Sequence, residues 1–566
     1  MSAYKLYAAY DHNQAGQLTA VNNETPTDRR EFGDAGMLID TALAYLLGPT
    51  QEIVVAGAEA EGSPAAAVQA ALREWAGREL LSQRIQDAER KAVALGDGVY
   101  RLAWDPARGR VTVRTVDPGF YFPVFDDDAD PADYPTRVHL AWEIPEDPHT
   151  GTRARVRRIT YELGAIRPAT HSTVDGGESP LREIVVDDQG AVVAPGDTAD
   201  PDTGLITRAY PWAPTIRTHL TCHLTDAEWF LDDLRTHHDI DHLPLDKARF
   251  RIRSDGEVLA GLDLRCDFIP IVHITNSIPG EDHWGVSTLA RPTQLLDEIA
   301  GTDTDSSSAS ATTGSPILAL AGATTRIDRA TGRPETLTVT PGAVYNLGET
   351  GRLDVVDTSN QLSELRTHVF DLRQRLASIT RIPGAAMGTV DATRIPSGYL
   401  LDVSLRPLDA LVSSMRLART HKYSLLFRFV QRLHQAGHAW PAGETLHAEL
   451  RFGPHTPTDK AAILDQVCLG VQANVLSLET GLRMLQAAGF PIDDVAEEVR
   501  LIQGRSFDAA SRLADATGDA GAVRTYLGLP DVEPEVPAGG APEFTSRDAQ
   551  AAAEETSPGT ADEDDS

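Results

Sequence analysis

The sequence predicts an α+β chain, and three observations carry that prediction. Alternating apolar and polar runs between residues 99 and 275 read as strands. A stripe of apolar residues at helical spacing runs through 362–379. From residue 454 the texture becomes wholly helical. At 566 residues the chain is too long for one compact core, so two to four domains are expected.

In the first half, "GMLIDTALAYLLG" (36–48) reads as an apolar helix ended by Gly48 and Pro49. Residues 65–98 form one long helical stretch in which Val68, Leu72, Trp75 and Leu80 mark the apolar positions, ended by "GDG". Strands follow at 99–105, 110–117 and 120–126, with "PARG" as a turn between the first two. An acidic loop at 126–135 precedes further alternation to residue 275, interrupted by long polar insertions.

At residue 268 the pattern changes. "FIPIVHITN" is a short apolar strand, and 286–314 reads as a helix whose regular part starts near Pro292 and whose second half is rich in Ser, Ala and Thr. Strand and turn pieces fill 315–359. In 361–384, Leu362, Leu365, Val369, Leu372, Leu376 and Ile379 alternate steps of three and four, with Ser359 or Asn360 as cap and Pro383 and Gly384 as the stop. A short Pro- and Gly-punctuated loop (384–397) leads into a helix from Ser397 to about Gln435, which is expected to kink near Val403–Pro407 because proline removes one backbone hydrogen bond and clashes with the preceding turn. Further helices are expected at 456–474 (cap Thr458), 476–489 (cap Ser477) and 493–503 (cap Asp494, with Glu497 three residues on). From residue 531 the chain carries eleven acids and one base, the composition of a disordered acidic tail.

Lys plus Arg number 51 against 83 acids, a formal charge of −32, which excludes a uniformly basic nucleic-acid binder. It does not exclude an acidic channel wall, which repels phosphate and lets DNA slide. No secretion signal and no membrane-spanning run are expected. Cys222, Cys266 and Cys468 are far apart in sequence and odd in number, with no CxxC pair for zinc or redox chemistry, and read as small core hydrophobes of a reducing compartment. No lysine follows a glycine, so the GxxxxGK[ST] phosphate loop is absent, as are GxSxG and HExxH. The one cluster of metal-site residue types is His237, His238, Asp239, Asp241 and His242, with His238 and His242 at helical i, i+4 spacing. No partner motif supplies a general base, so no metal, cofactor or catalytic residue is expected.

The second half resembles the portal proteins of tailed bacteriophages. "FIPIVHITNSIPGEDHWGVSTLARPTQLLDEI" is similar to that family's lead into its first stem helix: an apolar strand, an Asn, a loop, an aromatic–Gly–x–Ser step and a helix with Asp297. "SITRIPGAAMG" and "IPSGYLL" resemble its stem end, tunnel loop and kinked helix, with Gly388, Ser397 and Gly398 at the matching places. "RFGPHTPTDKAAILDQV" and "LSLETGLRMLQAAGFPIDDVAEEVRLI" resemble its closing helices, and residues 90–125 its wing. Each motif is weak alone; the colinear order over 90–505 carries the resemblance. The insertions at about 126–265 and the acidic tail depart from the pattern.

The resemblance implies a portal fold: an α/β wing (1–285), a first stem helix (286–314), a small α/β clip (315–358), a second stem helix (359–383), a tunnel loop (384–397), a kinked helix returning to the wing (398–453), a helical crown (454–505) and the tail (506–566). It implies a ring, usually of twelve copies, at one capsid vertex. Double-stranded DNA passes through it; the packaging motor (large terminase), major capsid and scaffolding proteins and later the neck or adaptor proteins bind it. The implied setting is the virion, and the host cytoplasm during assembly. Thr389, Val390, Asp391, Ala392, Thr393 and Arg394 would then form the loop tip in the channel, and the 362–379 stripe would pack the stem. Arg366, Arg373, Arg375 and Arg381 either form rings of positive charge or pair with Glu364, Asp371 and their neighbours. Two rival readings remain: another virion structural or adaptor protein, which should lack this helix–clip–helix–loop–helix order, and a metal enzyme built on His237–His242.

Overall fold

The computed structural model describes residues 2–20, 30–58, 62–126, 134–149, 151–167, 196–200, 203–234, 239–253, 256–278, 283–314, 359–388, 398–454, 460–492 and 494–502, residue 504, and four strand pieces at 185–186, 192–193, 318–321 and 352–355. The chain mixes helix and sheet and divides into two compact units, Met1–Thr458 and Asp459–Ser566.

The first unit opens with helices α1 (Ser2–Asp11), α2 (Ala15–Ala20) and α3 (Asp34–Leu47), then strand β1 (Gln51–Val55). The stretch read as one helix at 65–98 is two: α4 (Pro64–Arg78), capped by Ser63 with Pro64 in its first turn, and α5 (Leu81–Leu95). Between them Leu80 adopts a left-handed backbone (φ 53°) and lies 55 % exposed, so it is not the core position its spacing suggested. Glu79 explains the break. Its side chain pairs with Arg110 at 2.7 Å and accepts from the Val113 N–H, which anchors the chain to the neighbouring strand.

Strands β2 (Asp97–Asp105) and β3 (Arg110–Val116) pair antiparallel, and Ile271–Thr275 adds to the other side of β2. The third strand begins later than expected, because Asp117 caps a short 3-10 turn at Pro118–Phe120 before β4 (Tyr121–Val124). With β5 (Arg137–Ile144), β6 (Arg155–Ala165), Leu220–Phe230 and two shorter strands, β4 forms a six-stranded sheet. Its longest ladder pairs Leu220–Phe230 with β6 over the full eleven residues of each strand.

The second half supplies α6 (Thr293–Gly314), α7 (Ser359–Thr380) and α8 (Gly398–Ala436). Between α6 and α7, Leu318–Ala321 and Arg352–Val355 pair antiparallel. α8 remains one helical element across Pro407. Its buried side packs into the main core, and Ala448–Phe452 then pairs with β1 to close the unit.

In the second unit α9 (Lys460–Gln472) packs on α10 (Leu478–Ala487), whose N-cap Ser477 accepts from the Thr480 N–H at 3.1 Å, with Glu479 in the first turn. Residues 495–502 are helical behind Asp494, which accepts from the Ala496 N–H. The expected cap Thr458, most of the expected clip and the acidic tail lie outside the described residues. Among the described residues no helix is long and apolar enough to cross a membrane.

Candidate functional site: the helix pair and the loop that follows it

α6 starts where Pro292 allows, with the Leu296 N–H bonded to the Pro292 carbonyl. Its small polar half stays helical because the hydroxyls find partners inside the helix. Thr302, Thr304 and Ser308 donate to the carbonyls of Glu298, Ala300 and Thr304 at 2.8, 2.7 and 3.0 Å. Propensity alone disfavours this stretch; local side-chain hydrogen bonds and packing on α7 hold it.

In α7, Leu362, Val369, Leu372 and Leu376 are buried and Leu365 is half-buried. Ile379 is the exception, at 45 % exposed. The stripe ends a turn early because Arg381 takes a left-handed backbone (φ 60°), which turns the chain before Pro383 and buries Ile382 in Ile379's stead. Phe370 projects outward, 61 % exposed.

Arg373 links three elements. Its Nε and Nη2 reach the carboxylate of Asp34 at 3.1 and 3.2 Å, and Nη2 reaches Asp303 on α6 at 2.8 Å. Burial opposes its charge, but the hydrogen bonds to these carboxylates outweigh burial and raise its pKa. Burial also raises the Asp303 pKa, against the pull of Arg373. The pairing differs from the sequence alternatives: Arg373 takes Asp34 and Asp303 rather than Glu364 or Asp371. Arg366, Arg375 and Arg381 are exposed and form no ion pair with a described residue.

After α7 the loop begins as a compact turn. The Ala386 and Met387 N–H groups donate to the Pro383 carbonyl, and Gly388 carries a positive φ of 70°. The six tip residues, Thr389, Val390, Asp391, Ala392, Thr393 and Arg394, lie outside the described residues. α8 then presents two faces. Leu405, Leu408, Val412 and Met415 are buried. On the other side Leu400, Val403, Pro407, Ala410, Ser414 and Leu417 are exposed, again at steps of three and four.

Behind the pair lies a buried junction. The backbones of Gly96 and Gly285 cross so closely that a Cβ on Gly285 would stand 2.2 Å from the Gly96 carbonyl oxygen. Asp97 accepts from the Gly285 N–H (2.8 Å), the Tyr4 hydroxyl (2.6 Å) and His273 Nε2 (2.8 Å). Asn276 donates to the Val286 carbonyl at 2.9 Å, and Ser287 to the Ala94 carbonyl at 2.6 Å. Arg419 of α8, which follows Met415 on the apolar stripe, bonds to Glu89 at 2.6 Å and to both oxygens of Asn276 at 3.1 Å. The Asn and the aromatic–Gly–x–Ser step are thus the structural hinge of this region. The sequence reading marked them, but it missed Asp97, Glu89 and Arg419. A charged residue on an otherwise apolar helical stripe was the available signal for Arg419.

The HHDIDH cluster does not assemble as a helical metal site. Residues 239–244 contain no helix, and His237 and His238 lie outside the described residues. His242 pairs with Asp239 on the surface, while Asp241 is taken by Arg137 and His139, each at 2.8 Å. Among the described residues no group of three or more His, Cys, Asp or Glu side chains converges to hold a metal.

Compared with known families the chain matches none, and among curated proteins no match is found.

Proposed function

We propose that this chain is a portal subunit of a tailed bacteriophage, one copy in a ring that forms the channel for DNA packaging and ejection. The observation that carries the reading is the order of elements in the second half: α6, an antiparallel strand pair, α7, a tight turn and the long α8. Supporting it are apolar side chains that stay exposed among the described residues, Phe370 and Ile379 on α7 and Val403 and Leu417 on α8. A heterologous ring interface covers such unlike faces on neighbouring copies without requiring self-complementarity. In this reading the loop tip 389–394 meets DNA, the outer end binds the packaging motor and then the neck, and the chain has no catalytic role. At −32 per chain, a ring of about twelve copies carries on the order of −400 charges, which keeps DNA sliding rather than bound.

The test is the mass and rotational symmetry of the purified protein, by native mass spectrometry and class-averaged electron microscopy. A ring of about twelve subunits with a central hole is expected. A stable monomer under assembly-promoting conditions overturns the proposal.

A further inference from the structure

One side of the six-stranded sheet is basic although the chain as a whole is acidic. Where β6 pairs with Leu220–Phe230, Arg155 lies opposite Phe230 and Arg157 opposite Glu228, and Arg249 lies opposite Glu228 on the next strand. Opposed residues share one side of a sheet, so these side chains stand together. The reverse side is apolar, with Ala227 and Trp229 buried there. Both carboxylates on the basic side are already engaged. Glu228 pairs with Arg155 and Arg251 at 3.3 and 3.1 Å, and Arg157 donates to the two oxygens of Asp226 at 2.9 and 2.7 Å. Two further guanidiniums have no such partner. Arg153 and Arg249 are exposed, and their guanidinium carbons lie 3.8 and 4.0 Å from the centroid of the Phe230 ring. Neither side chain forms an ion pair or hydrogen bond with a described residue. The ring face attracts both cations against their mutual repulsion, which holds two guanidinium forks in place with their N–H groups unclaimed.

We propose that Arg153 and Arg249, held on Phe230, form a docking surface for an acidic segment of a partner protein. Charge complementarity carries the choice of partner. Five arginines face two carboxylates on this side of the sheet, a surplus of positive charge on a chain whose formal charge is −32. Guanidinium forks match carboxylates, and Asp226 and Glu228 already show that pairing on the same face. The flanks decide between a peptide and a nucleic acid. The short turns Leu231–Leu234 and Leu245–Lys247 carry three acids, Asp232, Asp233 and Asp246, against one base, Lys247, and all four are exposed. A continuous phosphate backbone leaving the arginines would meet those acids, whereas a segment with two carboxylates ends before them. Leu231 and Leu245 are exposed on the same turns and give apolar side chains of that segment a surface to cover. The forks are in place before the partner arrives, which removes an ordering cost from binding.

The inference does not depend on how many copies assemble, so its failure would leave the ring reading untouched. The experiment is a fluorescence-anisotropy titration of the full-length protein with a labelled Asp-Glu-Leu repeat peptide. The uncharged Asn-Gln-Leu repeat and an oligothymidylate of equal charge are titrated alongside. Saturable binding of the acidic peptide, weakened by added salt and tighter than that of either control, is expected. Arg153→Gln combined with Arg249→Gln should weaken it roughly fivefold or more at unchanged melting temperature, because both side chains are exposed. Arg84→Gln, an exposed arginine on α5 outside this face, should leave binding as it is. Equal binding of the acidic and uncharged peptides, no binding of either into the millimolar range, or wild-type binding by the double variant overturns the proposal. Tighter binding of the oligothymidylate also overturns it and makes the face a nucleic-acid site instead.

Discussion

Arg419 and Glu89 face one another inside the core, 2.6 Å apart and with no solvent exposure on either side chain. The second Glu89 oxygen accepts from the Tyr423 hydroxyl at 2.6 Å, and Arg419 also donates to the Met415 carbonyl and to Asn276. The pair joins α8, α5 and the segment that leads to α6. Removing one partner strands the other charge in the core. Arg419→Met should therefore cost roughly 3–5 kcal/mol, while Arg419→Met combined with Glu89→Leu should recover much of that loss. Denaturant unfolding measures both. A single variant losing less than about 1 kcal/mol would show the pair to be dispensable.

His139 sets a pH dependence. Its Nε2 faces the Asp241 carboxylate at 2.8 Å, so Nε2 carries the proton and Nδ1 accepts from the Thr160 hydroxyl at 2.9 Å. Burial above all lowers its pKa to about 4, with Arg158 and Arg137 adding to the effect and Asp241 opposing it. The unfolded chain takes up this proton near 6.5, before the folded protein does. Stability from this group is complete above about 6.5 and is lost as pH falls toward 4, by on the order of 3 kcal/mol. His139→Gln should flatten the wild-type decline across that window. Parallel pH–stability curves for the two proteins would refute the assignment.

Gly285 cannot accept a side chain. A Cβ there would lie 2.2 Å from the Gly96 oxygen and 2.8 Å from the Asn276 nitrogen, both backbone atoms. Gly285→Ala should destabilise by about 3 kcal/mol, because two backbone segments must separate. Gly301→Ala makes a control, since nothing lies within 4 Å of its Cβ position. Comparable melting temperatures for the two variants would contradict the close crossing.

Phe370 and Leu417 are 61 % and 64 % exposed and carry none of the chain's own core. Phe370→Asp and Leu417→Asp should leave monomer unfolding within about 0.5 kcal/mol of wild type yet reduce assembly at least tenfold in sedimentation velocity. Undiminished assembly in both variants would remove these faces from the proposed interface.

Helices were the most legible part of the chain. The apolar stripe of α7 from Leu362 to Leu376 and the Ser477 cap are local signals, and both stand where the sequence put them. The break at Glu79–Leu80 was not legible, because it depends on Arg110 and Val113 across a turn. Ile379 was misjudged for a related reason: the helix ends on a left-handed Arg381, not on the proline two residues later. The junction was legible only in part. Asn276 and Gly285 belong to a recognisable run, but Asp97, Tyr4 and His273 lie 93 and 176 residues apart in their pairings, and no spacing rule joins them. The partners of Asp241 in the HHDIDH run were not legible either, because Arg137 and His139 come from a strand about 100 residues earlier.

The pairing of β1 with Ala448–Phe452 also bears on biosynthesis. Gln51 lies opposite Phe452 and Val55 opposite Ala448, so nearly 400 residues separate the two edges of this small sheet. At about 5–20 residues per second, the ribosome takes roughly 20–80 s between making the first edge and the second. Throughout that interval β1 lacks its partner, and its main-chain groups are open to any other strand in the cell. Until translation reaches residue 452, water satisfies the main-chain groups of this edge, and the small sheet closes only after the rest of the unit has been made.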